Sequence, residues 1–156
     1  EYALAQYLGA GTAACYRGPG LYDTPAVRDM VHTWVSWFKA NRRILTADLI
    51  HVKRPDGQSI DGIVHVDASA TSGDIALAAF FNPTSTTLNA TIMLPLYYAG
   101  VAPGGSVNVT SAEPAGALLA SAAPGSKVLT ANMRSRVALD LDIPAGGYAM
   151  FAVRQA

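Results

Sequence analysis

Cysteine is almost missing from this sequence. Cys15 is the single one among 156 residues, so no intrachain disulfide can form. Its small, apolar surroundings in "GTAACY" mark it as a buried thiol rather than a nucleophile. Charge is also scarce, at 14% of residues, and eleven basic side chains balance eleven acidic ones. A chain of zero net charge has no long-range attraction for a polyanion, so neither nucleic acid nor an anionic membrane is expected as a partner. No apolar run approaches the roughly 20 residues that cross a bilayer. Motifs are absent too. There is no HExxH, no CxxC, no GxSxG, no Gly-rich loop followed by Lys and Ser/Thr, and no GxGxxG opening a helix. No metal or other cofactor is therefore expected. The chain opens at Glu1 with neither Met nor the basic-then-apolar pattern of a signal peptide, so such a peptide is expected to be absent or already removed. The compartment, cytoplasmic or secreted, stays open.

What is plentiful is apolar. The hydrophobic fraction of 51% belongs to a chain that buries a core. Two regions differ in period. Across 24–45, Val27, Met30, Val31, Trp34, Phe38 and Leu45 recur at spacings of three, four and seven, which draws the apolar stripe of a long helix. Thr24 suits its N-cap, Pro25 its first turn, and Lys39, Arg42 and Arg43 its C-terminal dipole. Trp37 widens the stripe. Residues 1–8 predict a short helix, and the small residues of "LGAGTAACYRG" predict a buried strand and a loop.

Beyond Leu45 the helical period stops. Eight strands are predicted at 49–54, 62–67, 74–81, 88–94, 106–110, 127–130, 136–143 and 147–153, separated by clusters of Pro, Gly, Asn and Ser. That spacing belongs to an antiparallel sandwich or barrel. The fold class is thus mainly β: an antiparallel β-sandwich preceded by one long α-helix and a short strand-loop segment.

Candidate chemistry lies in three places. Pairing the first two strands about Gln58 sets His51 opposite His65 and leaves Ile50, Val52, Val64 and Val66 on one apolar face. Two imidazoles with Asp56, Asp61 or Asp67 nearby suit a metal or a proton relay, but no third ligand is visible, and a hydrogen-bonded polar patch is the plainer reading. Tyr16, Arg17, Tyr22 and Asp23 crowd the approach to the long helix. There an aromatic face would stack on a sugar ring while Arg or Asp binds hydroxyls; the alternative is a structural Arg17–Asp23 link. Carboxylates are scattered, including Asp48, Asp74, Glu113, Asp140 and Asp142. A glycosidase pair needs a separation of about 5–5.5 Å or roughly 6.5–9.5 Å, which spacing alone does not establish. Tyr97, Tyr98 and Tyr22 are candidates for an exposed aromatic platform. Asn89 and Asn108 match the glycosylation pattern, while Pro83 excludes Asn82.

The motifs "YRG..LYDT", "W..WF...R.IL..D.IH..RPDG...DG..HV", "NP" after an apolar strand and "LPLYYAG", in this order, resemble the C-terminal part of large bacterial glycoside hydrolases distantly related to alpha-galactosidases. The resemblance covers about residues 3–101, and the ending "IPAGGYAMFAV" is similar as well. It implies that residues 1–46 are the last strand-loop-helix of a (β/α)8 barrel and residues 47–156 the C-terminal β-sandwich. It also implies cleavage of O-glycosidic bonds by paired carboxylates on earlier barrel strands, so no catalytic residue of this chain is assigned. Tyr16, Arg17, Tyr22 and Asp23 become candidate substrate contacts at the barrel rim, and a carbohydrate the expected partner. The alternative is a non-catalytic carbohydrate-binding or scaffold module. A helix stripe lacking the rest of its barrel would lie open, which predicts a homodimer or higher oligomer through residues 1–45.

Overall fold

The computed structural model describes residues 1–13, 20, 22–120 and 125–156. Helices α1 (Tyr2–Gly9) and α2 (Pro25–Leu45) precede eight strands: β1 (Asp48–Lys53), β2 (Asp61–Val66), β3 (Ala76–Phe81), β4 (Leu88–Pro95), β5 (Ser106–Ser111), β6 (Lys127–Thr130), β7 (Arg136–Ile143) and β8 (Tyr148–Gln155). A 3-10 turn, Tyr97–Ala99, follows β4. All eight predicted strands and the long helix are present. Of the strand predicted after residue 8, Leu8 and Gly9 end α1 and residues 10–13 form a turn and irregular chain, while 14–18, including Cys15, Tyr16 and Arg17, lie outside the described residues.

Three layers result. A six-stranded sheet runs in the order β1-β2-β3-β8-β5-β6, a two-stranded sheet pairs β4 with β7, and these pairings are antiparallel. Strand β7 alternates exposed and buried along its length, as a strand with one wet face must. Strand β3 is buried throughout because both of its faces are covered. Ala76, Ala78 and Phe80 point between the sheets, with Ala149, Phe151 and Val153 of β8. Leu77, Ala79 and Phe81, with Tyr148 and Met150, point the other way, against the helices.

Helix α2 begins where Thr24 Oγ1 accepts the Val27 N–H at 3.2 Å with Pro25 behind it, and its last turn carries Arg42 and Arg43. Its stripe is partly covered: Val27 is exposed and Met30, Val31 and Phe38 are half-buried. Trp34 and Trp37 are 1% and 8% exposed, and Ile44 and Leu45 are buried. Trp34 packs edge-on against Trp37 and Tyr148, with centroids 5.4 and 5.5 Å apart, and Trp37 Nε1 donates to the Ala112 carbonyl. The helix therefore closes the Trp34–Trp37 part of its stripe on the outer face of the chain's own sheet, while Val27 at its start stays exposed. Its C-terminal end is pinned by Arg43, which bonds both the Asp67 carboxylate and the Asp74 carbonyl; Arg154 pairs with Asp74 at 2.6 Å. Gly11, at φ +72°, lets the chain leaving α1 press on the end of α2: a Cβ there would stand 2.1 Å from the Leu45 carbonyl oxygen.

Candidate functional site

The β1–β2 hairpin corrects the histidine pair. Leu49 faces His65 and His51 faces Ile63, with an irregularity between His51 and Lys53. The pairing centre is residue 57 rather than Gln58. A shift of two in partner keeps each side chain on its expected face, so Val64 and Val66 are buried and Ile50 and Val52 pack on the same core. It also parts the imidazoles. His51 is exposed, while His65 is 2% exposed beneath α1, its Nε2 2.9 Å from the Gly9 carbonyl oxygen. Its Nδ1 is buried without a hydrogen-bond partner among the described residues. Burial holds the imidazole pKa below its usual value, against a smaller upward pull from the Gly9 and Ala47 carbonyls. No group of three metal-ligating side chains occurs among the described residues.

The nearby carboxylates have other duties. Asp67 accepts from Ser69 and Arg43, which hold its pKa down. Asp56 accepts from Ser59 Oγ and from the Gln58 and Ser59 N–H groups, which lowers its pKa to about 2 and locks the "RPDG" turn. Burial, and then the charge of Asp56, push Asp61 up. The "NP" motif is equally structural. Fully buried Asn82 donates to the Thr86, Ile143 and Pro144 carbonyls and accepts from Thr84, tying two turns together.

Of the four predicted sugar contacts, Tyr16 and Arg17 lie outside the described residues. Tyr22 and Asp23 stand exposed at the start of α2, with the Tyr22 ring 6.4 Å from His32. Asp140 and Asp142 occupy the wet face of β7, where Asp140 accepts from Thr91 at 2.7 Å.

Sequence reasoning missed a cleft between α2 and residues 112–118. Glu1, Met30, Thr33, Trp34, Pro114 and Leu118 line about 270 Å3 of it, and His32, Ser36, Trp37 and Glu113 continue its wall. Glu1 accepts from the buried Tyr148 hydroxyl and, at 2.9 Å, from the Leu118 N–H; Glu113 accepts from the Met150 N–H at 2.7 Å. Burial pushes Glu113 up, and burial and then the Glu1 hydrogen bond push Tyr148 up. These carboxylates hold segments distant in sequence, which is why no local signal announced them.

The most exposed aromatic side chains lie elsewhere. Tyr97 and Tyr98 project from the 3-10 turn after β4, 71% and 54% exposed, with ring centroids 5.5 Å apart and planes at 82°.

No protein-family model matches the sequence, and no curated protein matches it. Among solved structures, the chain is similar to an alpha-amylase from Geobacillus thermoleovorans, GTA, solved with acarbose: TM-score 0.56 and 11% identity over 99% of this chain and 33% of that one. It thus spans about a third of the amylase's length. A weaker likeness, TM-score 0.42 at 16% identity over 90% of this chain and 24% of that one, is to AmyP, solved with maltose. At 11% identity the amylase likeness shows the shared fold: a mainly β domain of antiparallel sheets with two helices.

Proposed function

We propose that this chain is the C-terminal module of a glycoside hydrolase that acts on O-glycosidic bonds of carbohydrates. Residues 1–46 would be the closing helices of the catalytic domain and residues 47–156 the β-sandwich fixed to it. One observation carries the reading: almost the whole chain, helices included, overlays a third of an alpha-amylase. The motifs shared with relatives of alpha-galactosidases support it. Their residues here cap a helix (Thr24), lock turns (Asp56, Asn82) and shape the segment after β4, all of which specify a fold rather than a reaction. The carboxylates of Glu1 and Glu113 are committed to holding the chain, so bond cleavage belongs to another domain, with Tyr22 and Asp23 at its rim as substrate contacts.

The test is release of reducing ends from soluble starch and of phenol from aryl α- and β-glycosides, by this chain and by any longer product of its gene. Hydrolysis by the longer product only is expected. Hydrolysis by this chain alone that vanishes in Glu113→Gln would make it an enzyme in its own right; none by either would remove the glycosidase reading. Val27, Tyr7 and Tyr22 remain exposed on the helical layer and form the surface by which it would meet the barrel or a second copy. Sedimentation at micromolar concentration distinguishes the two: a 16.3 kDa species assigns that surface to the barrel, a dimer to self-association.

A further inference from the structure

We infer that Tyr97 and Tyr98 form a surface site for a neutral oligosaccharide, anchored on the core between the two sheets. The inference rests on reading the chain as a module of a carbohydrate-active enzyme, and it adds a site that the reading does not contain.

A 3-10 turn repeats every three residues, so positions three apart share a face. Leu96, just before the turn, and Ala99, its last residue, are buried, which leaves Tyr97 and Tyr98 to point outward. The base beneath them is fixed. Val101 N–H donates to the Leu96 carbonyl at 3.1 Å, Gly100 turns the chain in the left-handed region at φ 79°, and Leu96 N–H donates to the Ser135 carbonyl at 2.8 Å. Leu96, Ala99 and Val101 belong to the core between the two sheets, not to the core beneath the helices.

Two adjacent aromatic rings held in water on a fixed turn form an exposed apolar patch, the kind of surface that binds ligands. Their size selects which. Two tyrosines that are 71% and 54% exposed offer less than the area of about 150–250 Å2 that a whole aromatic side chain buries, well short of the roughly 800 Å2 per partner of a stable protein interface. They do match one or two pyranose units. The perpendicular rings leave an open face for the apolar side of a sugar ring, and the phenol hydroxyls reach its hydroxyl groups.

Affinity electrophoresis of this chain through gels containing soluble starch, xylan, mixed-linkage β-glucan or galactomannan tests the inference, with Tyr97→Ala, Tyr98→Ala, the double variant and a change at exposed Val128 on β6, Val128→Ala, run alongside. The expected result is retardation in at least one gel, weakened severalfold by either single change, abolished in the double variant and unchanged in Val128→Ala. The exposed positions leave the thermal midpoint of the double variant unchanged, which excludes misfolding. Migration of the wild type unaffected by all four polysaccharides overturns the inference, as does retardation that survives the double change or a wild-type dimer that the double change dissolves. Glycoside cleavage by the longer gene product without retardation of this chain defeats the surface site alone; retardation without cleavage defeats the enzyme reading alone.

Discussion

The two faces of the six-stranded sheet are covered by different means. The inner face meets the two-stranded sheet, and the core between them is built from apolar side chains, from Val64 and Phe80 to Leu139 and Phe151, with buried Asn82 bonded to the Ile143 carbonyl at its rim. The outer face meets helices, and there polar groups enter the seam: His65 against Gly9, Trp37 Nε1 against Ala112, Tyr148 against Glu1, and Glu113 against Met150. A sheet cover built from the same hairpin pattern needs only apolar alternation. A helical cover brings chain ends and carbonyls to the surface it buries, and each must find a partner. The helical seam should therefore be the side of the molecule sensitive to pH, and the inner core the insensitive side.

The largest effect that would break this contrast is loss of Trp34. Replacing a buried aromatic with Ala costs about 3–5 kcal/mol. Trp34→Ala is expected to lower the free energy of urea unfolding by that amount in one transition, because Leu77, Phe81 and Tyr148 lose their cover together. Two separate transitions would show that the helices are an accessory to an autonomous sandwich. Leu141→Ala, on the inner side, should cost about 2–5 kcal/mol and unfold the same unit.

Gly11→Ala should follow in size. It forces a side chain into the left-handed region and against the Leu45 carbonyl, which amounts to roughly 2–3 kcal/mol of strain. A midpoint equal to wild type would mean that the junction between α1 and α2 is free to shift.

How much of this was readable beforehand follows the same division. Strand positions were legible because Pro, Gly and Asn mark the turns, and α2 because its cap and stripe agree. The face of each hairpin residue was legible from alternation, but its partner was not: the irregularity after His51 and the Asp56 lock set the turn off centre. The cover over α2 was missed although a signal existed. "ALAAFF" in β3 is apolar on both faces, which calls for a layer on each. The seam contacts of Glu1, Glu113 and Tyr148 had no signal, since they join positions more than thirty residues apart.

The pH test sharpens the contrast further. Burial lowers the His65 pKa from its usual 6.5, so the folded state binds this proton less readily than the unfolded state. Stability tied to the neutral ring is complete above pH 6.5 and is lost as pH falls from there through the folded-state pKa. The thermal midpoint should fall between pH 7 and 5, and His65→Gln, which keeps a donor for the Gly9 carbonyl, should flatten that decline. An equal decline in the variant would place the sensitivity elsewhere.

Glu113 gives the smallest effect, and one of opposite sense. Burial raises its carboxyl above the usual 4.5, so the folded state holds this proton more readily than the unfolded state. Its stabilising contribution is present below pH 4.5 and is lost as pH rises through the folded-state pKa. At neutral pH the ionised group is therefore a cost, set beside Tyr148, whose hydroxyl already faces the Glu1 carboxylate. Glu113→Gln keeps a carbonyl oxygen to accept the Met150 N–H and removes the charge. The variant should melt slightly above wild type at pH 7, and the gap should close by pH 4 as the native carboxyl takes up its proton. A variant that melts lower at pH 7 would mean that the carboxylate gains more from the Met150 N–H than burial takes away, and the helical seam would then be stabilised by charge.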